Sequence, residues 1–340
     1  MITTDDWREF FQPTGEGIRP EQEKMVNFAL NRLAEGVPNI WVEGPTGVGK
    51  SFAAYAIARY CAAEYGWKSR FLVPNVFLEN QYLKDFARLG MLQLHSARHY
   101  ECPEEGTCDL GRDTELVRVP QEIPSLGGAT TVLEPPPIEV VRQIRCPELE
   151  RCPYLLARAA FGACSIGVTD LAYGLTCARY GHDFVRSDLI FIDEAHTLAD
   201  QVCSLYEVRI RLNTVSEPPA RGDEIAWVED FYLPDLERRI RLVEQEFSER
   251  AAWNLQDHEL VTLGRAQSQL KIEIYNLGLI VRGDWTDWVV TTTSRELIFQ
   301  LVWAKKMAPA LLDFLAPRRV LMSATLLEFE LQTKWLGLAV

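Results

Sequence analysis

Gly44-Pro45-Thr46-Gly47-Val48-Gly49-Lys50-Ser51 is the stretch that decides how this chain reads. It fills every fixed position of the pattern Gly-x-x-x-x-Gly-Lys-Ser/Thr. The apolar run Asn39-Ile40-Trp41-Val42-Glu43 before it predicts a short buried strand. Lys50 to Tyr65 after it predicts a helix that stops at Gly66. Strand, glycine-rich turn and helix form the context in which this pattern cradles phosphate. The glycines let backbone N–H groups converge on phosphate oxygens, and the helix N-terminus adds a favourable dipole. Gly44, Thr46, Gly47, Val48, Gly49, Lys50 and Ser51 are therefore candidate nucleotide-binding residues. Lys50 is expected to reach the β- and γ-phosphates, and the Ser51 hydroxyl to ligate Mg²⁺.

Working outward, Glu21 to Ala34 predicts a helix, Arg70-Phe71-Leu72-Val73-Pro74 a second strand, and Phe77 to Leu89 a following helix. Alternating strands and helices imply an α/β fold with a parallel sheet. Further strand signals stand at Ser165-Ile166-Gly167-Val168, Leu189-Ile190-Phe191-Ile192 and Val320-Leu321-Met322. Residues Ala199 to about Ala310 read as mainly helical, notably Leu233 to Phe247 and Glu259 to Leu277. Phe191-Ile192-Asp193-Glu194-Ala195-His196 places two adjacent carboxylates at the end of an apolar strand. Beside a phosphate loop, Asp193 is expected to hold Mg²⁺ through water, and Glu194 to orient or deprotonate an attacking water.

The length of 340 residues predicts about two domains at roughly 150 residues each. A net charge of −13 removes composition as support for a nucleic-acid partner, although a local basic groove would suffice. No apolar stretch approaches the roughly 18 residues that suggest a membrane span, and the N-terminus lacks a signal pattern. A cytoplasmic protein with no membrane partner is expected.

From about Glu101 to Arg151 periodicity is lost, Pro and Gly rise, and 11 acidic residues face 5 basic ones. Cys102, Cys108, Cys146 and Cys152 bracket this loop-rich segment, with five residues between the members of each pair. Such a segment needs a staple. Thiolates ligate both iron–sulfur clusters and zinc, and spacing leaves the two open, although zinc pairs more often enclose two to four residues. Cys61, Cys164, Cys177 and Cys203 read as core residues.

Together these motifs resemble superfamily 2 helicases, specifically the XPD/DinG family of iron–sulfur helicases. The P-loop and the Asp193-Glu194-Ala195-His196 box (a DEAH box) are shared across the superfamily. Ser323-Ala324-Thr325 resembles the motif that couples nucleotide state to nucleic-acid binding. Arg19-Pro20-Glu21-Gln22 resembles the upstream motif whose Gln contacts adenine. Cys152-Pro153-Tyr154-Leu155-Leu156-Ala157-Arg158 and His99-Tyr100-Glu101-Cys102-Pro103 resemble the segments that hold the last and first cluster cysteines.

The resemblance implies a RecA-like P-loop sheet carrying two insertions, an iron–sulfur domain and a helical arch. The first motor domain is expected over residues 1–98, 155–199 and 313–340, the cluster insertion over 99–154 and the arch over 200–312. It implies ATP, Mg²⁺ and a 4Fe–4S cluster on Cys102, Cys108, Cys146 and Cys152. It also implies 5′ to 3′ translocation on single-stranded or forked DNA, with Lys50, Asp193, Glu194 and His196 in catalysis and Arg19 and Gln22 at the nucleotide. The chain stops 15 residues after Thr325, so the second RecA-like domain is expected on a missing C-terminal segment or on another chain. The alternative is a non-unwinding ATP- and DNA-binding subunit that docks onto a larger assembly.

Several further positions are open to either a nucleic-acid contact or a plainer role. Asn80 and Gln81 lie in a stretch that resembles a backbone-gripping motif. Asp170 stands where the family often has Asn nearby. Arg238, Arg239 and Arg241 could line the arch or form a solvated face. Trp285 and Trp288 could stack bases or pack in a core. A DNA path beside the cysteines would need Arg112, Arg118, Arg142, Arg145 or Arg151 on one side.

Overall fold

The computed structural model describes residues 6–11, 17–102, 106–107, 152–251, 258–283, 285–325 and 329–338. The chain forms two compact units, one of Met1–Ser96, Pro153–Val202 and Ala304–Val340, the other of Ala97–Cys152 and Cys203–Trp303.

The first unit is built on a six-stranded sheet. Its strands are β1 (Asn39–Glu43), β2 (Ser69–Val73), β3 (Leu92–Gln93), β4 (Ile166–Asp170), β5 (Leu189–Ile192) and β6 (Arg318–Ser323). All pairings are parallel, in the spatial order β1-β6-β5-β2-β4-β3. α1 (Pro20–Ala34) precedes β1; parallel strands need crossovers, and the segments between them carry α2 (Lys50–Tyr65), α3 (Val76–Phe86), α4 (Pro153–Ala163), α5 (Leu171–Arg179), α6 (Leu198–Leu205) and α7 (Ala308–Leu315). Strands β2 and β5 are buried throughout, which is why Phe71–Val73 and Leu189–Ile192 read as continuous apolar runs rather than alternating ones. Phe71 and Phe191 stack across them with ring centroids 4.6 Å apart. Each such side chain contributes about 1.5–3 kcal/mol on burial.

Polar side chains also tie the layers together. Arg70 on β2 is 1% exposed and lies over the Phe161 ring. Its guanidinium donates to the carbonyls of Phe161 (2.8 Å) and Cys164 (3.1 Å). It thereby satisfies the C-terminal carbonyls of α4, where a cation is favoured. On β6, Arg319 donates to Asn39 Oδ1 of β1 at 2.9 Å and also pairs with Asp313 of α7.

The second unit is mainly helical, as expected, but adds a small sheet that the sequence reading does not foresee. Val208–Arg211, Glu296–Leu301 and Trp288–Thr292 form a three-stranded antiparallel sheet in that order. Val208 and Ile210 are buried between exposed Arg209 and Arg211, and Leu297, Phe299 and Leu301 are buried in alternation. That period of two is a strand signal, masked in the sequence by the long helical patterns around it. The helices themselves are present as Leu233–Ala251 and His258–Arg282. They pack together, with Lys271 and Gln267 of one reaching Glu244 of the other. Glu101–Cys102 and Gly106–Thr107 pair as a two-residue antiparallel ladder. Among the described residues no helix is long and apolar enough to cross a membrane.

Candidate nucleotide site

In a parallel sheet every strand ends on the same edge, and loops leaving adjacent strands become neighbours. The phosphate loop leaves β1, Ser323 ends β6, and Asp193 follows β5. Because β6 lies between β1 and β5, three motifs far apart in sequence meet on one edge. The Gly44 N–H donates to the Ser323 carbonyl at 3.1 Å and joins two of them directly.

Within the loop, Gly47 (φ 81°) and Gly49 (φ 88°) adopt left-handed backbone conformations that glycine takes without steric cost. Lys50 is buried, and its Nζ donates to the carbonyls of Gly44 (2.7 Å) and Pro45 (3.4 Å). Ser51 follows it in the first turn of α2, half-buried. Thr46 is exposed and Val48 half-buried on the loop itself.

The Arg19-Pro20-Glu21-Gln22 segment packs against this loop. Arg19 donates to the Gly47 carbonyl at 2.8 Å. The Gln22 side chain is buried and used at both ends. Its Oε1 accepts from the Arg19 N–H (2.9 Å), while its Nε2 donates to the Gly49 carbonyl (3.4 Å). A Cβ on Gly49 would come within 2.1 Å of that Nε2, so the contact itself requires glycine.

On β5's far end, Asp193 is 8% exposed. Its Oδ2 accepts from the Tyr82 hydroxyl at 2.8 Å and its Oδ1 from the Glu194 N–H at 3.0 Å. Burial pushes the Asp193 carboxyl above its ordinary range, while these two donors and the Lys50 charge pull it down. Burial likewise drives the Tyr82 phenol well up, and the neighbouring Asp193 adds to this, so the hydroxyl keeps its proton. Glu194 has φ 50° and is the one non-glycine residue with positive φ among the described residues. Its carboxylate lies 3.3 Å from His196 Nδ1, which in turn is 2.9 Å from Ser323 Oγ. Ser323 Oγ also bonds the backbone of Thr325, with Ala324 between them. A polar chain thus runs from the carboxylate pair to Ser323-Ala324-Thr325.

Chemically, a carboxylate and a hydroxyl offer the oxygen ligands that a hard divalent cation takes. The site offers the Lys50 ammonium at the loop, the Ser51 hydroxyl at the start of α2, and the adjacent carboxylates of Asp193 and Glu194.

The remaining predicted positions fall elsewhere. Cys108 and Cys146 lie outside the described residues, as do the side chain of Cys102, Arg112, Arg118, Arg142, Arg145, Arg151 and the side chain of Trp285. Cys152 is half-buried just before α4. No cluster of three or more metal-binding side chains occurs among the described residues. Cys61 and Cys177 are buried, whereas Cys164 and Cys203 are half-buried. Asp170 caps α5, accepting from the Tyr173 N–H at 2.8 Å. Asn80 and Gln81 are exposed on α3, with Asn80 accepting from Gln93 at 2.9 Å. Trp288 is buried, consistent with packing. Arg238 and Arg239 are exposed and both pair with Asp235. Sequence reading missed Tyr82. Leu78, Tyr82 and Phe86 share one helix face, and that spacing marks Tyr82 as core without disclosing where its hydroxyl points.

Comparison with known proteins agrees with this architecture. Residues 16–104 match the family described as type III restriction enzyme, res subunit. The fold resembles a solved XPD helicase at 17% identity and TM-score 0.54, covering 95% of this chain and 61% of that one. It also resembles a truncated XPD at 17% identity and TM-score 0.51, covering 93% of this chain and 97% of that one. No curated protein matches the sequence. The chain therefore has a RecA-like α/β fold of the XPD type and spans about 61% of that XPD helicase's length.

Proposed function

We propose that this chain carries the nucleotide-binding first motor domain of an ATP-dependent DNA helicase of the XPD/DinG type. In this reading residues 1–98, 155–199 and 313–340 form the motor domain, 99–154 a cluster insertion and 200–312 an arch. ATP hydrolysis drives 5′ to 3′ movement on single-stranded DNA and opening of forked duplex. The observation that carries the reading is the meeting of Lys50, Asp193 and Ser323 at the ends of three adjacent strands. Lys50 binds the β- and γ-phosphates, Ser51 and Asp193 hold Mg²⁺, and Glu194 orients the attacking water. Arg19 and Gln22 brace the loop from outside. His196 and Ser323 relay the state of the phosphate site to the DNA-binding surface. Cys102, Cys108, Cys146 and Cys152 hold a 4Fe–4S cluster that stiffens the insertion. A second RecA-like domain supplies the other wall of the ATP cleft.

ATP hydrolysis measured with and without single-stranded DNA, with Lys50→Ala as the blank, tests this reading. Turnover that rises with DNA and vanishes in Lys50→Ala is expected. Nucleotide binding without DNA-stimulated turnover would favour the second reading, a non-unwinding subunit of a larger assembly. Absence of nucleotide binding would overturn both.

A further inference from the structure

The Asp193 carboxylate is fixed from two directions. The Glu194 N–H holds Oδ1 from the same loop, at 3.0 Å. The Tyr82 hydroxyl holds Oδ2 from α3, at 2.8 Å and across 111 residues of sequence. Tyr82 is 3% exposed, so its hydroxyl has no ready exchange with solvent. Its ring packs against Phe71 (centroids 5.5 Å apart) and Phe86 (5.9 Å). A phenol that aims its proton at one carboxylate oxygen, from a ring held by two others, sets the plane of that carboxylate.

We propose that Tyr82 is a positioning residue for the divalent cation of the nucleotide site, acting through Asp193. The inference rests on the reading of Asp193 as a cation-holding residue. A carboxylate that meets a cation, directly or through water, must present its free lone pairs in a fixed direction. Each Asp193 oxygen here gives one lone pair to a protein donor and keeps the other available. Partners that orient a ligand in this way typically contribute 10- to 100-fold to metal affinity. Without the hydroxyl, Oδ2 is left buried with one donor fewer, and only the Glu194 N–H still orients the carboxylate.

Binding of a fluorescent ADP analogue, titrated with Mg²⁺ and repeated in EDTA, tests the proposal on the full chain. Tyr82→Phe keeps the ring and removes the hydroxyl. It is expected to raise the half-saturating Mg²⁺ concentration about tenfold while leaving affinity in EDTA unchanged. Phe86→Leu loosens the same packing without touching Asp193 and is expected to keep the wild-type Mg²⁺ dependence. An unchanged Mg²⁺ dependence in Tyr82→Phe overturns the proposal, as does an equal shift in Phe86→Leu. A wild-type chain that binds the probe no better than Lys50→Ala overturns the phosphate-site reading itself, and the proposal with it.

Discussion

Glu194 sits in the left-handed region at φ 50°, a conformation that costs an L-residue roughly 1–2 kcal/mol. Its neighbours explain why it persists. The N–H of Glu194 is engaged by Asp193, and its carbonyl accepts both the N–H and the hydroxyl of Thr197. The backbone turns sharply, so that Asp193 meets Tyr82 while the Glu194 carboxylate lies beside His196. Such strain concentrates where function over-determines geometry. Replacing Glu194 by Gly or by Ala removes the carboxylate in either case, and hydrolysis is expected to fall at least about a hundredfold. Stability should separate them. Glycine relieves the strain but carries about 0.5–1 kcal/mol more chain entropy. Glu194→Gly is therefore expected to exceed Glu194→Ala by up to about 1 kcal/mol in urea unfolding. Equal or reversed stabilities would show that this backbone is unstrained.

Elements meet here at distances that only particular side chains allow. A Cβ on Gly167 of β4 would come within 2.5 Å of the Phe161 ring of α4. Gly167→Ala is expected to push that helix from the sheet and to destabilise the protein by about 1–3 kcal/mol in chemical unfolding. Mg²⁺-dependent nucleotide binding should survive, because neither element carries a phosphate-site residue. The approach of α3 to β3 is electrostatic as well as steric. Glu79 of α3 is fully buried, 3.1 Å from His95 Nδ1 just beyond β3. Burial pushes its carboxyl up, and His95 pulls it back. The folded state therefore keeps a proton on Glu79 at a pH where the unfolded chain has released it. Its contribution to stability is greatest below the unfolded carboxylate range and is lost as pH rises through the folded value. Glu79→Gln cannot titrate, so its thermal stability relative to wild type should be higher at pH 8 than at pH 5. A pH-independent difference would mean that Glu79 stays ionised in the fold.

At the scale of the molecule, the sheet order does what no single motif can. Residues 44–51, 193–196 and 323–325 meet because the last strand of the sheet inserts between the first and fifth. All three lie in the first compact unit, whereas Cys102 and Cys152 fall in the second. Cluster loss and nucleotide binding should therefore separate. Cys152→Ser is expected to lose bound iron, measured with acid-labile sulfide, while ADP affinity stays within about twofold of wild type. An iron-replete Cys152→Ser protein would remove Cys152 from the ligand set.

Much of this was legible in the residues alone, because local physics wrote it there. The glycines at 47 and 49 announce left-handed backbone, the apolar runs of β2 and β5 announce strands buried on both faces, and Gly66 announces the end of α2. Each of these depends on neighbours within a few positions. The antiparallel sheet of the second unit is written only weakly, in short alternations beside long helical patterns. Tertiary structure alone decided the rest. Tyr82 reads from sequence as one more core aromatic, and Arg70 as an odd charge in a buried strand. Which carboxylate the phenol meets, and which carbonyls the guanidinium satisfies, depends on partners about 90 to 110 residues away. No periodicity encodes such a pairing, because it is set by how the sheet orders its strands and how closely the helices lie upon it.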